Sequence, residues 1–412
     1  MSVTVDRVAI TGLGAVTPIG STVESFWSAL LAGHNGCRRV TAFDLAGQRT
    51  EIGCEVPGFD HARRPWPGPH AGGRATALAA AAAAEALAQA GLAIDAPERV
   101  GVCIGTTMGE IRILEEYLEC EVRPRKGAAP SPLADYPCFV IAAGVAARFG
   151  LGGPNLMVPD ACAAGNYALA VARDLILDGE ADAMVVGGVD PYSRIAHTGF
   201  NRLLAVSPDL CRPFDARRHG IIPGEGAGIL VLESERGARK RGAEILAFLL
   251  GCGLTNDAGH ITNPDPSGAG LARAIAQALA ESGIAPADVD WISAHGTGTP
   301  ANDLAETRGI KRAFGDRARA VPVSSIKSMI GHTMGAASAL EAVAAVMAIR
   351  TGAIPPTINY EHPDPGCDLD CVPNHFRRAE VRIVLSNSMA FGGNNACAVF
   401  AHAGDEDPRA AA

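Results

Sequence analysis

Apolar runs that end in glycine-rich turns recur along the whole 412-residue chain, and alanine-rich segments of helical period lie between them. The runs are RVAITGLG (7–14), RVGVCIGTT (99–107), DAMVVGGV (182–189), GAGILVLE (226–233), DWISAHGTG (290–298), RIVLSNSMAFGG (382–393) and NACAVF (395–400). The helical patterns cover 74–91, 163–178, 270–282, 302–314 and 335–350. A short apolar run bounded by glycine reads as a buried strand, and a 3.6-residue apolar period reads as a helix. Their alternation predicts an α/β fold with a mainly parallel sheet flanked by helices. A faint repeat runs through this pattern. PGEGAGILVLE (223–233) and FGGNNACAVFA (391–401) both pass from a glycine-rich turn straight into an apolar strand, and KRGAEILAFLLGCG (240–253) opens the second portion of the chain. Two similar α/β halves, 1–240 and 241–404, fit this repeat, with a flexible tail over 405–412. The segment PGFDHARRPWPGPHAGG (57–73) reads as a surface loop.

The bulk properties exclude several classes. With 48% hydrophobic and 19% charged residues, the chain can bury a large core. A net charge of −9, with no Lys/Arg stripe interleaved with aromatics, argues against a nucleic-acid partner. The opening MSVTVDRVAITGLGAV enters a strand-like run almost at once, so no signal peptide is expected. No stretch of about 18 apolar residues is free of charge, so no membrane span is expected. Eleven cysteines without a secretory signal point to reduced thiols and a cytoplasmic location. Cys367 and Cys371 stand in CDLDC, which is not C-x-x-C and has no complementary pair, so no metal is expected. GLGAVT lacks the third glycine of a dinucleotide loop, and GEGAG leads into a strand. Neither G-x-x-x-x-G-K-[ST] nor H-E-x-x-H occurs, which sets nucleotide and zinc chemistry aside.

Three stretches carry chemistry. In VPDACAAGNYALAVA (158–172), Cys162 sits between an apolar run and a helical pattern. At the first turn of a helix the macrodipole and free backbone N–H groups favour thiolate, the nucleophilic form. A buried cysteine acting as a small hydrophobe fits the same stretch. His295 stands in SAHGTGTPANDLAE, where a strand ends, and His332 stands in KSMIGHTMGAASALE, just before a helix. Sites of α/β sheets open at such strand-end positions. One cysteine, two histidines and Lys327 make a nucleophile-and-base inventory.

Together DACAAG, HGTGTPANDLAE, KSMIGHTMGAASALE and SNSMAFGGNNA resemble the β-ketoacyl-(acyl-carrier-protein) synthases, the decarboxylating condensing enzymes of fatty-acid and type II polyketide synthesis with a Cys–His–His centre. The resemblance spans nearly the whole chain. It implies a thiolase-like, five-layered αβαβα fold of two similar halves, usually dimeric, with no cofactor beyond the phosphopantetheine of the acyl carrier protein. It implies Cys162 as the acyl acceptor, and His295 and His332 as the pair that promotes decarboxylation and stabilises the enolate. Lys327 organises the site's charge, with Glu306 and Glu341 as supporting acids. Phe391 is the gate, and its backbone N–H joins that of Cys162 in an oxyanion hole. Thr297 and Thr299 hold the pantetheine arm. Met108 lines the acyl pocket near the dimer interface, although ordinary core packing fits it equally. Gly392 and Gly393 bind substrate together with Asp257 and Thr262, which, with His260, belong to a second mobile loop facing the gate.

Arg63 and Arg64 match the location of basic docking residues for the acidic carrier, with Arg125 and Lys126 a weaker match; solvated surface charge fits both pairs. Two departures stand out: Ala390 replaces a glycine common in the gate loop, and Asp160 stands where threonine is often found. Ala390 is expected to restrict the backbone swing of the gate. The function implied is condensation of an acyl group held on Cys162 with malonyl-acyl-carrier-protein. The dimer partner is a second copy or a chain-length-factor-like subunit. The alternatives are a non-catalytic chain-length-factor-like subunit, which typically lacks the cysteine, and a coenzyme A-dependent thiolase with a second active-site cysteine.

Overall fold

The computed structural model describes residues 7–60, 72–122, 133–405 and 407. Ten strands form its main sheet: β1 (Val8–Val16), β2 (Val100–Gly105), β3 (Asn155–Val158), β4 (Ala183–Asp190), β5 (Gly226–Ser234), β6 (Ala247–Asn256), β7 (Trp291–Ser293), β8 (Val323–Ser324), β9 (Ile383–Met389) and β10 (Asn394–His402). The main helices packed on it are α1 (Arg74–Ala90), α2 (Phe139–Phe149), α3 (Ala164–Leu177), α4 (Ala269–Ser282), α5 (Pro300–Phe314) and α6 (Ala337–Thr351). The strand order is β8-β7-β9-β10-β6-β1-β5-β4-β2-β3. Counted outward from the centre, the first half runs β1-β5-β4-β2-β3 and the second β6-β10-β9-β7-β8. The two orders are the same in chain sequence, and so are the strand directions: antiparallel, antiparallel, parallel, parallel. The faint sequence repeat is therefore a structural one, with 223–233 and 391–401 leading into the equivalent strands β5 and β10. β1 and β6 join the halves through Val8↔Leu249, Ala9↔Phe248 and Ile10↔Ala247.

The expectation of a mainly parallel sheet is corrected to a mixed one. Each half inserts its last strand antiparallel between its first strand and its parallel set. In the second half a four-residue connection, Ala390–Gly393, makes β9 and β10 a hairpin, and hairpins are antiparallel by construction.

The helices complete five layers. α1 lies on β1, β5 and β4, with α2 beside it over β2 and β3; α4 lies on β6 and β10, with α5 alongside. α3 and α6 lie side by side between the two halves of the sheet and touch both. A helix covered on every side cannot be amphipathic. α6 is apolar all round, and Met334–Thr351 is long and apolar enough to cross a membrane by composition, yet 83% of it is buried inside the fold. The GLG of the first strand is likewise a packing device. A Cβ on Gly14 would stand 1.9 Å from the Ala82 carbonyl oxygen of α1, so glycine in the strand and alanine in the helix allow close approach.

Each central helix is entered through a three-residue 3₁₀ turn, Ala161–Ala163 before α3 and Met334–Ala336 before α6. Each turn opens on a non-glycine residue with positive φ, Ala161 at 48° and Met334 at 52°. Such a conformation costs about 1–3 kcal/mol and persists where the surroundings enforce it. The duplicated topology thus delivers two chain segments, one with Cys162 and one with His332, to the same end of the central layer.

Gly165, in the first turn of α3, lets the two central helices pack in close contact. An added Cβ would stand 2.6 Å from Ser338 Oγ and 2.7 Å from the Ala339 backbone nitrogen of α6. Gly165→Ala gains about 1 kcal/mol of helix propensity and loses about 1–3 kcal/mol to overpacking. Urea unfolding is expected to show net destabilisation; an unchanged or raised midpoint would mean that the helices are not held at this distance.

Candidate active site

Cys162 is buried at the N-terminus of α3, and Asp160 precedes the turn that carries it. Burial pushes its thiol up to about 12, opposed by the Lys327 ammonium and by the Phe391 backbone N–H, which hydrogen-bonds to the sulfur; Asp190 and Asp160 add to the rise. The resting nucleophile is therefore a protonated thiol with a donor already aimed at it. Cys162, His295, His332, Thr297, Thr299, Thr262 and Phe391 line one cavity of about 180 Å³.

His295 follows β7, and His332 precedes the turn into α6. Their rings lie edge to face, with centroids 5.5 Å apart. The Met334 backbone N–H donates to His332 Nδ1 at 3.1 Å. That bond fixes the tautomer, because Nδ1 is the acceptor and the neutral ring must carry its proton on Nε2. His332 is thus a hydrogen-bond donor. His295 Nδ1 is buried with no partner among the described residues. Burial, and then the Lys327 charge, hold both rings well below the usual histidine range, so both are neutral at pH 7.

The supporting charges are buried too. Lys327 Nζ donates to Glu341 Oε1, and both side chains are almost completely enclosed. Glu306 accepts the backbone N–H groups of His295 and Gly296, each at 2.7 Å, and so fixes the turn that aims His295. Burial raises both acids to about 7. Thr297 and Thr299 share a hydroxyl–hydroxyl hydrogen bond of 3.0 Å, and Thr299 caps α5.

The gate loop turns on Gly392 and Gly393, at φ 88° and 81°, a region open to glycine. Ala390 is extended at φ −126°, a conformation any residue adopts. The facing loop is tied to the gate: Gly392 N–H donates to the Ile261 carbonyl at 2.8 Å, and Asp257 N–H to the Gly393 carbonyl at 2.8 Å. Phe391 packs against Phe200, with centroids 5.8 Å apart.

Several expected residues lie elsewhere. Gly392, Gly393 and Asp257 do not line the cavity. The Asp257 carboxylate receives Asn395 Nδ2 and the Asp265 N–H, each at 2.8 Å, so it braces the two loops against each other. Met108 also stays off the cavity wall; its backbone N–H donates to Asp190 at 2.7 Å. His260 Nδ1 accepts the Thr262 and Asn263 N–H groups within its own loop. Arg63, Arg64, Arg125 and Lys126 lie outside the described residues.

The sequence reading missed Phe200, Leu203, Ile221 and Met389, all of which line the cavity. It also missed Asp190, which receives the Thr106 hydroxyl and the N–H groups of Thr107, Met108 and Gly335, and so binds both halves at the site. Asp160 gains a role beyond being a departure. Its Oδ1 accepts Asn394 Nδ2 at 2.5 Å, linking the nucleophile turn to the gate loop. The apolar Leu203 and Leu204 after a polar helix, Arg194–Arg202, were the available signal for the mouth of the site.

Family models describing the N-terminal and C-terminal domains of beta-ketoacyl synthase match residues 5–238 and 246–361. The chain is 42% identical to 3-oxoacyl-[acyl-carrier-protein] synthase 2 of Synechocystis sp., over 96% of this chain and 97% of that protein. It is 40% identical to the enzyme of the same name from Coxiella burnetii, over 97% and 99%. Among solved structures, the ishigamide ketosynthase/chain length factor superposes with a TM-score of 0.92 at 43% identity, covering 97% of this chain and 100% of that one. A ketosynthase bound to the hexaketide, in complex with its type II polyketide synthase acyl-carrier protein, gives 0.86 at 32% identity, covering 96% and 99%. The chain belongs to the β-ketoacyl synthase family.

Proposed function

We propose that Cys162 accepts an acyl group from an acyl carrier protein and that this acyl group is then condensed with malonyl-acyl-carrier-protein, with loss of CO₂, to give a β-ketoacyl-acyl-carrier-protein in fatty-acid or polyketide synthesis. The observation that carries the reading is the meeting of one thiol and two neutral histidines in a single cavity, one ring with its tautomer fixed as a donor. The sulfur of Cys162 attacks the acyl thioester. The Phe391 and Cys162 backbone N–H groups stabilise the oxyanion, and the carrier thiol departs with the proton. Malonyl thioester then loses CO₂, and its enolate oxygen is held by His332 Nε2–H, with His295 beside it. The enolate carbon attacks the acyl–Cys162 carbonyl, and the cysteine leaves and is reprotonated. Thr297 and Thr299 hold the pantetheine arm. Phe391, tied to the facing loop, controls entry.

The thiolase alternative needs a second cysteine at the site. Cys397 is buried in β10 and faces Gly253 and Asn387 in the strand ladder, away from the cavity wall. A non-catalytic chain-length-factor role is disfavoured by the complete Cys–His–His–Lys set. The proposal extends to a cytoplasmic enzyme working as a dimer, with a second copy or a chain-length-factor-like subunit. It takes 1–240 and 241–404 as the two halves, Met108 as an acyl-pocket residue at the interface, and Arg63 and Arg64 as carrier-docking residues.

Incubation with a panel of acyl-carrier-protein thioesters is expected to add one acyl group to the wild-type mass and none to Cys162→Ala. Adducts on both would place the nucleophile elsewhere. His332→Gln is expected to keep acylation while condensation falls about 10²–10³-fold, the usual cost of one lost donor at a developing oxyanion; equal loss of both half-reactions would contradict the assigned role. The working histidines are neutral, and a pKa held below 6.5 keeps them so as pH falls. The acid limb of the condensation rate should therefore lie well below pH 6.5, and a limb at or above that value in a pH–rate profile would refute the assignment.

A further inference from the structure

Outside the active site, two cysteines face each other across a short ribbon. Arg38–Arg39 pairs antiparallel with Ile52–Gly53, and the register Arg38↔Gly53 continues to Cys37 opposite Cys54. Cys54 turns its own N–H and carbonyl away from Cys37: the N–H donates to Pro223 O at 2.9 Å, and the carbonyl accepts from Glu225 N at 3.1 Å. Cys37 and Cys54 thus form a non-hydrogen-bonded cross-strand pair. In such a pair the Cα atoms are about 4.5 Å apart and the side chains are closest, within the range that a disulfide spans without backbone movement. Their thiols are in contact, with sulfur atoms 2.6 Å apart. Cys37 is partly exposed and Cys54 is fully buried, giving an accessible attacking thiol and an enclosed resolving one.

The location gives the pair meaning. Residues 222–224 lie between Cys54 and His332: Gly224 N–H donates to His332 O at 2.8 Å, and His332 N–H to Ile222 O at 2.7 Å. Cys54 Sγ also fills the space beside Gly331, where an added Cβ would stand 2.7 Å from it. Gly36 N–H reaches the Met329 carbonyl at 2.7 Å. The dithiol therefore backs the wall on which His332 stands.

We propose that Cys37 and Cys54 are a reversible dithiol–disulfide site that reacts with low-molecular-weight disulfides and, when oxidised, locks the ribbon behind the His332 loop. The Cys37 thiolate attacks one sulfur of the small disulfide and expels one thiolate. Cys54 then attacks the Cys37 sulfur of the mixed disulfide and expels the second. The two electrons and the two cysteine protons leave in two small-molecule thiols, so one disulfide is reduced as one is formed.

The test uses the full chain with oxidised glutathione, followed by alkylation of remaining thiols and non-reducing peptide mapping. The Cys37 and Cys54 peptides should appear joined, short of two hydrogen atoms, with the melting temperature raised and both changes reversed by dithiothreitol. Cys54→Ser should halt the reaction at a stable glutathione adduct on Cys37. Cys37→Ser, at the partly exposed position, should abolish both the cross-link and the thermal shift. Recovery of both cysteines as free thiols while other cysteines have reacted would overturn the proposal. So would a persistent glutathione adduct on Cys37 in the wild-type chain.

Discussion

Two helices lodged between the two halves of one sheet set the terms for the rest of this molecule. α6 is buried over nearly its whole length, α3 leaves only Tyr167, Val171, Asp174, Leu175 and Leu177 wholly or partly open, and the two must meet at glycine and alanine to fit. Once they do, their N-termini open at the same end of the central layer. Each is entered through a strained 3₁₀ turn, and the duplicated topology brings the turn bearing Cys162 and the segment bearing His332 to one cavity. The reactive groups are thus placed by the parts of the fold with the least freedom to move. That is what a site needs when a misplacement of about 1 Å costs about 10²-fold in rate.

The same enclosure creates an electrostatic problem and answers it. Lys327, Glu341, Glu306 and Asp190 are all buried among apolar layers. Buried ion pairs are poor stabilisers, although removing one partner costs about 3–5 kcal/mol, so the Lys327–Glu341 pair is better understood through its field. Burial, reinforced by the nearby Lys327 charge, holds both histidines neutral, and the same charge opposes the rise of the Cys162 thiol. Glu306 and Asp190 spend their carboxylates on backbone N–H groups, fixing the turns that aim His295 and carry the residue after Met334. These acids act as scaffolding for the reactive groups.

Much of this was legible in the chain. The five long helical patterns ended within about two residues of the observed helices, because apolar period and glycine or proline punctuation act locally. Cys162, His295 and His332 were readable because their motifs surround them in sequence. Sheet direction was not legible: whether β5 and β10 insert parallel or antiparallel is decided by long-range pairing, which no local pattern encodes. The brace from Asn395 to Asp257 and the bond from Met108 to Asp190 were not legible either, because these partners lie 138 and 82 residues apart in the chain. Phe200 and Leu203 escaped notice for the same reason. The cavity wall they form exists only after the segment 191–205 folds back over the strand ends.

The central claim is that carbon–carbon bond formation here is driven by decarboxylation inside this cavity. Malonyl-acyl-carrier-protein labelled at its free carboxyl group tests it directly, with released CO₂ and β-ketoacyl product counted in the same reaction. The account predicts one labelled CO₂ for each product molecule, and no product when an acetyl thioester replaces malonyl. Condensation of two acetyl thioesters without CO₂ release would contradict it and return the chain to the thiolase reading.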